Sequence, residues 1–539
     1  MENDIATGVI KRYDALKGQR GTWENHWEEI ADRVMPRYSG SMQSPDSGIT
    51  RGEKRTSKMF DSTAALGLER FAAAMESMLT PRNSRWHRLS VTNPDLSKDR
   101  EVKLYFEQTT NILFKHRYSP KANYSSQQHE VYMGLGAFGT SAIFPDAHDD
   151  GGLRYQSIDL REILFDMSHQ GMVDTSYRKY SLTARQMQQR VDVKRWDSIP
   201  EAISKAVKDQ PDKKFEIIHC VRPRSEVDPR KMDYRGKKFA SYYVSVEGRH
   251  LLSEGGFNTF PYPISRYVTG PGEIYGRSPA MLVLPSIKVL NEQKKTMLKQ
   301  GHRVVDPVLL SHDDGVLDSF SMKPGAMNPG GVSAEGRLMV QTLPTGNLAA
   351  GQELMDMERQ VINDGFLVSL FQILVDTPAM TATEVLERAR EKGALLSPTM
   401  GRQQSEMLGP MIDRELDLLN MQGLLPQMPE ALIEAEGEYD VAYDSPLSRS
   451  QRAEEATGYL RTFETAIAHA NTTQDLSVMD YFNTDVIYPA LAEINAMPES
   501  WMNGPEQIEA LRQQRAQQQQ TQQMIEAAPA AAGVMKALG

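Results

Sequence analysis

Three glycines invite the first chemical reading. Gly134-Leu-Gly136-Ala-Phe-Gly139 has the letters of the dinucleotide-binding fingerprint, with Asp159 twenty residues beyond the last glycine. That chemistry sets a pyrophosphate on the N-terminus of a helix that follows a strand. Here the order is reversed. A helical segment, Gln127 to Tyr132, comes first and a strand-like segment comes after, so the spacing predicts a glycine-rich helix exit. No Gly-x-x-x-x-Gly-Lys-Ser/Thr loop is present to cradle phosphates, His129-Glu130 stands alone without a second zinc-binding histidine, and no Gly-x-Ser-x-Gly elbow occurs. Asp146, His148, Asp149 and Asp150 have the right types for a metal, but Gly151-Gly152 beside them spell a solvated hairpin turn. A single cysteine, Cys220, excludes an intramolecular disulfide and any cysteine-rich zinc site. No catalytic residue, cofactor or metal site is predicted, and the chain reads as no enzyme.

One cluster carries a different chemistry. Lys288, Lys294, Lys295, Lys299, His302 and Arg303 load a single helical segment with positive charge against one acid, Glu292. Lys288, Lys295, Lys299 and His302 recur at i, i+7, i+11 and i+14, which is one face. Such a stripe suits a solvated surface or a polyanion. The sign then reverses: Asp306, Asp313, Asp314, Asp318, Glu335, Glu353, Asp356, Glu358 and Asp364 follow, against Lys323, Arg337 and Arg359.

The chain that positions these residues has 539 of them, with 61 Lys+Arg, 71 Asp+Glu and a net charge of −10. An acidic total argues against a protein that grips DNA over its whole surface, because phosphate neutralisation needs clustered cations. The apolar share of 40% is enough for real cores. No run reaches the ~18 apolar residues of a membrane span, and Met1-Glu2-Asn3-Asp4 does not begin a basic-then-apolar leader.

Periodicity predicts the elements. Trp23, Trp27, Ile30 and Val34 form one helical face that stops at Pro36, and Ala64, Leu68, Phe71, Met75 and Leu79 form another that ends at Pro81. Strands are expected at 86–91, 142–144, 153–158, 215–221 and 239–246, with a helix over 104–118 and a capped helix at Thr183. Ser278-Pro279 starts a long helix to about His302, with Pro285 as a kink or restart. Short strands and turns follow, including Val308-Leu309-Leu310. Asn347 then caps another long helix carrying Leu354, Val361 and Ile362. Thr381-Ala-Thr-Glu384 is a capping box that opens a helical stretch to about Gln422, bent at Pro398 and Pro410. From Arg452 the chain is mostly helical, with Tyr459, Phe463, Ala466, Ile467 and Ala470 on one stripe, and it ends in a low-complexity glutamine- and alanine-rich tail. The fold class is α+β.

Several stretches, in order, give the chain a resemblance. They are Asp61-Ser62-Thr63 leading to Leu79-Thr80-Pro81 and Arg85-Trp86; Arg161-Glu162-Ile163 and Gly171-Met-Val-Asp174; Tyr275-Gly276-Arg277-Ser278-Pro279; Leu284-Pro285-Ser-Ile-Lys288 with Leu290-Asn291-Glu292; Thr381-Ala-Thr-Glu-Val385 with Glu387-Arg388; and Tyr443-Asp-Ser-Pro-Leu447 with Arg449. Together they resemble the portal, or head-to-tail connector, proteins of short-tailed bacteriophages. The resemblance implies a ring, usually a dodecamer, at one capsid vertex of the virion, assembled in the host cytoplasm. Double-stranded DNA would be pumped in through it by terminase and later leave through it. Its other partners would be the tail adaptor and tail proteins and the major capsid and scaffolding proteins, with no membrane involved.

The same resemblance implies a division into a wing (1–277), stem helix 1 (278–303), a clip (304–346), stem helix 2 (347–370), a tunnel loop (371–380), a long wing helix and return (381–450), and a crown with its tail (451–539). Lys288, Lys295, Lys299 and Arg303 are then candidates to face the channel or the adjacent stem. The tunnel loop would hold Phe371, Gln372, Ile373, Leu374, Val375, Asp376, Thr377 and Pro378 as an apolar, yielding constriction. Asp306, Asp313, Asp314, Asp318 and Lys323 would belong to the docking surface for terminase and adaptor. The alternatives are a capsid or tail protein that never touches DNA, a DNA-translocating ATPase or nuclease, and a cellular α+β protein.

Overall fold

The computed structural model describes residues 2–40, 42, 54–91, 93, 95–96, 99–197, 199–228, 230–231, 233–311, 321–344, 348–368, 398–435, 439–443, 446–473, 476–494, 497–504 and 506–521. Its first half is an α+β body. Helices α1 (Glu2–Gln19), α2 (Gly21–Ala31) and α3 (Thr63–Leu79) lead to strand β1 (His87–Ser90), then α4 (Arg100–Arg117) and α5 (Tyr124–Phe138). The hairpin β2 (Thr140–Ala147) and β3 (Leu153–Ile158) follows, then β4 (Ile163–Met167), β5 (Val173–Thr183), α6 (Ala184–Asp192), α7 (Glu201–Asp209), β6 (Lys214–Pro223), β7 (Phe239–Ser245), β8 (His250–Phe257) and β9 (Ile264–Arg266).

Strands β4 to β8 make a five-stranded antiparallel sheet in chain order, and β3-β2-β9 a smaller one. Successive residues of a strand point to opposite faces, and here both faces of the larger sheet are covered. Ile218, Cys220 and Val244 pack beneath Ala6, Val9, Tyr13 and Leu16 of α1. Ile217 and Phe215 pack beneath Met187, Trp196 and Ile203 of the α6–α7 layer. Helix α6 begins at a capping box between Thr183 and Gln186.

The glycine cluster is a helix exit, as its surroundings predict. Gly134 and Gly136 lie inside α5, and Gly139 ends it at φ +75°. A Cβ on Gly136 would meet Leu68 at 2.6 Å and Phe71 at 2.7 Å, so the glycine lets α5 lie close on α3. The apolar stripe of α3 is buried throughout, at Ala64, Leu68, Phe71, Met75 and Leu79. The hairpin turn carries Gly151 and Gly152 at φ +87° and +88°. Its acids are occupied: Arg195 pairs with Asp146 at 2.5 Å and Asp149 at 2.8 Å, and Lys121 pairs with Asp150 at 3.4 Å.

The second half opens with two long helices. Helix α8 (Pro279–Val305) runs through Pro285 without a restart and continues three residues past the expected His302. A short hairpin, β10 (Leu309–Ser311) with β11 (Val340–Thr342), leads to α9 (Leu348–Gly365), whose helix closes at Gly365 rather than at Leu370. The expected Asn347 cap lies outside the described residues.

Helical residues 398–403 pass into a π-turn at Gln404–Leu408 and then a helix over Gly409–Met421. The extra residue per turn falls just before Pro410, which has no N–H to give to the preceding turn. Strand β12 (Asp440–Tyr443) pairs with β1 across more than 300 residues of chain. Helices Pro446–Thr473 and Thr484–Ile494 follow, with the rings of Tyr459 and Phe463 stacked at 5.5 Å and Ala466 and Ala470 buried. No described helix is long and apolar enough to cross a membrane.

Candidate functional site

The basic stripe lies on α8, and everything that positions it begins at the helix root. Tyr275 packs edge-on against Trp27 at 5.2 Å and against Trp23 at 5.9 Å. Gly276 and Gly139 lie backbone to backbone, where no side chain fits on either, and the Gly276 N–H donates to Thr140 Oγ1 at 2.7 Å. Ser278 Oγ then caps α8 by accepting from Met281 N at 3.0 Å, while donating to Ala137 O at 2.8 Å. The helix is bonded to the body at its first residue.

A second brace joins both long helices to the 54–61 segment. Asn291 Oδ1 accepts the N–H groups of Phe60 at 2.7 Å and Asp61 at 3.2 Å, and its amide donates to Ile287 O at 2.8 Å. Asp61 accepts from Thr63 N at 2.9 Å and pairs with Arg359 of α9 at 2.8 Å. Burial pushes the Asp61 carboxyl up, but the bonds from Thr63 and Arg359 outweigh it and hold it below the usual carboxylate range. Two motifs far apart in the sequence, Asp61-Ser62-Thr63 and Leu290-Asn291-Glu292, thus meet. Helices α8 and α9 run antiparallel in close contact at two points, Gly365 against Val283 and Gly351 against Met297, where an added Cβ would overlap the facing side chain.

The stripe divides along its length. Lys288 Nζ pairs with Glu29 of α2 at 2.6 Å, and that bond holds Glu29 below the usual carboxylate range. Lys295 lies 5.6 Å from the centroid of the Phe60 ring and 3.6 Å from Glu292. Further out, Lys299, His302 and Arg303 are exposed and have no acidic partner among the described residues. Asp306 ends α8 in an exposed position, and Lys323 is exposed in the insert. Asp313, Asp314 and Asp318 lie outside the described residues, as do Phe371 to Pro378.

The described insert has little core of its own: Met322, Met327, Val332 and Leu338 are all exposed.

Other titratable groups cluster away from the stem. Between the two sheets, a cleft is lined by Arg154, Arg178, Arg190 and Arg195 with Tyr180 and Tyr243. His219 beside it is bonded by both nitrogens, to Tyr262 Oη at 2.6 Å and Ser241 Oγ at 2.9 Å, and stacks on Tyr243. Burial holds it neutral, well below the usual imidazole range. No group of three or more metal-ligating side chains occurs among the described residues. Sequence reasoning found the lysines, but missed Glu29 as the partner of Lys288 and Arg359 as the partner of Asp61, because a contact between distant elements leaves no local pattern.

A family model described as "Bacteriophage head to tail connecting protein" matches residues 6–502. The "Probable portal protein" of Bordetella phage BPP-1 is 28% identical over 525 residues, covering 96% of this chain and 92% of that protein. The "Portal protein" of Salmonella phage epsilon15 is 26% identical over 541 residues, covering 98% and 94%.

Proposed function

This chain belongs to the family of bacteriophage head-to-tail connecting proteins, and from that premise we propose that it forms the portal ring at one vertex of the capsid. Double-stranded DNA is packaged through the ring by terminase and later ejected through it, and the tail attaches to it. The match over residues 6–502 carries this reading, since both long helices and the β insert between them fall inside it. The geometry supports it: a helix pair braced at its root projects an insert whose Met322, Met327, Val332 and Leu338 are exposed in a single copy.

In this reading 1–277 is the wing, 278–303 and 347–370 the stem, 304–346 the clip, 371–380 the tunnel loop, 381–450 the long wing helix and its return, and 451–539 the crown and tail. The clip, with Asp306, Asp313, Asp314, Asp318 and Lys323, docks terminase and afterwards the tail adaptor. Phe371 to Pro378 narrow the channel with side chains that touch DNA without a charge pair. The whole chain is anionic at −10, so a twelvefold ring carries about −120 and repels phosphate, which keeps the duplex centred and mobile. Local cations on the stem, Lys288, Lys295, Lys299 and Arg303, face the channel or the adjacent stem.

Purified protein viewed by negative-stain microscopy, with its mass measured in the native state, tests the reading. A ring with an open channel wide enough for duplex DNA is expected. A compact single subunit would overturn the proposal. An ATPase assay on the same material is expected to show no turnover, since the pump is a separate protein.

A further inference from the structure

The two long helices present opposite flanks of opposite character. On α8, Val283 and Met297 meet α9, while Lys295 and Lys299 point away from it with the exposed Glu292 beside them; Leu282 and Val289, nearer the root, are exposed at 77% and 44%. On α9, Gly351 and Gly365 meet α8, while Leu354, Met357 and Val361 are 54%, 64% and 49% exposed, flanked by the exposed Glu353. The α8 flank is net basic, its two lysines outweighing Glu292; the α9 flank is apolar and acidic. Neither is self-complementary. A two-fold pairing of like flanks would set a net-basic face against itself or a net-acidic face against itself.

Resting on the ring reading above, we infer that these flanks are the two halves of one contact between copies: Glu353 and the Leu354, Met357 and Val361 face of α9 in one subunit pack against Lys295, Lys299 and Val289 of α8 in the next. A contact between two different patches is heterologous, and it closes into a ring when its rotation divides the circle. The register agrees. Gly365 lies against Val283 and Gly351 against Met297, so along the antiparallel pair Glu353 stands level with Lys295 and about one turn from Lys299. Likewise, Val289 stands level with the stretch between Met357 and Val361. With a ring axis along the helices, rotation preserves those heights and brings each residue to its complement. Lys299 then binds the neighbouring subunit beside Lys295, which its own Glu292 already meets at 3.6 Å, and their charge is spent on protein rather than on phosphate. The channel keeps its low affinity for DNA even though each stem carries a basic stripe.

A charge-swap series tests the pairing. Lys299→Glu and Glu353→Lys are prepared singly and together, with Met357→Glu to probe the apolar part. Assembly is followed by native mass measurement and sedimentation over a concentration series, and circular dichroism verifies the fold of each variant. Each single reversal is expected to raise the concentration needed for half assembly by about tenfold or more, and the double swap to return it to within a few fold of the unmodified chain. Met357→Glu is expected to remove the ring while helix content persists. If the single reversals assemble like the unmodified chain, or the double swap restores nothing, the pairing is wrong while the ring stands. If the unmodified chain forms no ring at any concentration, the portal reading itself falls and this inference with it.

Discussion

Arg117 and Glu415 form an ion pair with both side chains fully buried. The Arg117 guanidinium also bonds His87 Nε2 at 2.8 Å and lies 4.6 Å from the centroid of the Trp86 ring, while Tyr155 donates to Glu415 Oε1 at 2.6 Å. Burial opposes the charge on Arg117, but Glu415 beside it more than compensates and raises its affinity for the proton. Removing one partner leaves the other buried and unpaired, so Arg117→Met is expected to destabilise the subunit by about 3–5 kcal/mol in denaturant titration; a loss below about 1 kcal/mol would show that water reaches Glu415. His87 and His219 are both buried, and desolvation holds both neutral in the fold. The unfolded chain takes up protons near the usual 6.5 that the folded chain refuses. Stability should therefore hold above about pH 6.5 and fall below it, by up to about 1.4 kcal/mol per pH unit for each histidine. His219→Gln should flatten that slope when unfolding midpoints are compared at pH 7, 6 and 5. Cys220 is buried, and burial pushes its thiol up to about 12. It should resist a thiol reagent in native protein and react fully once denatured.

At the scale of elements, the stem is held by shape and by one amide. Gly365 faces the β-branched Val283, which has no flexible end to move aside, whereas Gly351 faces the thioether of Met297. Gly365→Val should therefore force α8 and α9 apart and lower the melting temperature, while Gly351→Ala should be tolerated with a shift of only a few degrees. Asn291→Ala removes the acceptor for two backbone N–H groups at Phe60 and Asp61. It should cost about 1–3 kcal/mol and loosen the 54–61 segment, measurable as faster amide exchange at those two positions.

For the whole molecule, the informative feature is what a single copy leaves unfinished. Leu354, Met357 and Val361 of the stem and Met322, Met327, Val332 and Leu338 of the insert are exposed, which a chain that worked alone would have little reason to keep. If subunit contacts rest partly on ion pairs between copies, raising the salt concentration should lower ring stability. Binding of the ring to free duplex DNA, by contrast, should be weak at all salt concentrations. Strong salt-sensitive DNA binding by intact rings would place the lysines in the channel.

Helix positions, caps and turn chemistry could be read directly from the residues, because they depend on neighbours within a few positions. The stripe of α3, the Ser278 cap, the Thr183 capping box and the Gly151-Gly152 turn are of this kind, and so is the rejection of the nucleotide fingerprint, which needs only the order of strand and helix. Strands β4, β5 and β8 escaped that reading, since polar residues such as those of Asp174-Thr-Ser and Arg178-Lys179 mask alternation when both faces of a sheet are covered. The functional class was legible through many short stretches kept in order, none decisive by itself. Only the tertiary structure decided which lysines are committed and which are free to act. Lys288 meets Glu29 across 259 residues, Asp61 meets Arg359 across 298, and β1 finds β12 across more than 300. Such contacts are set by how packed layers bring distant segments together, and a one-dimensional pattern carries no record of that distance.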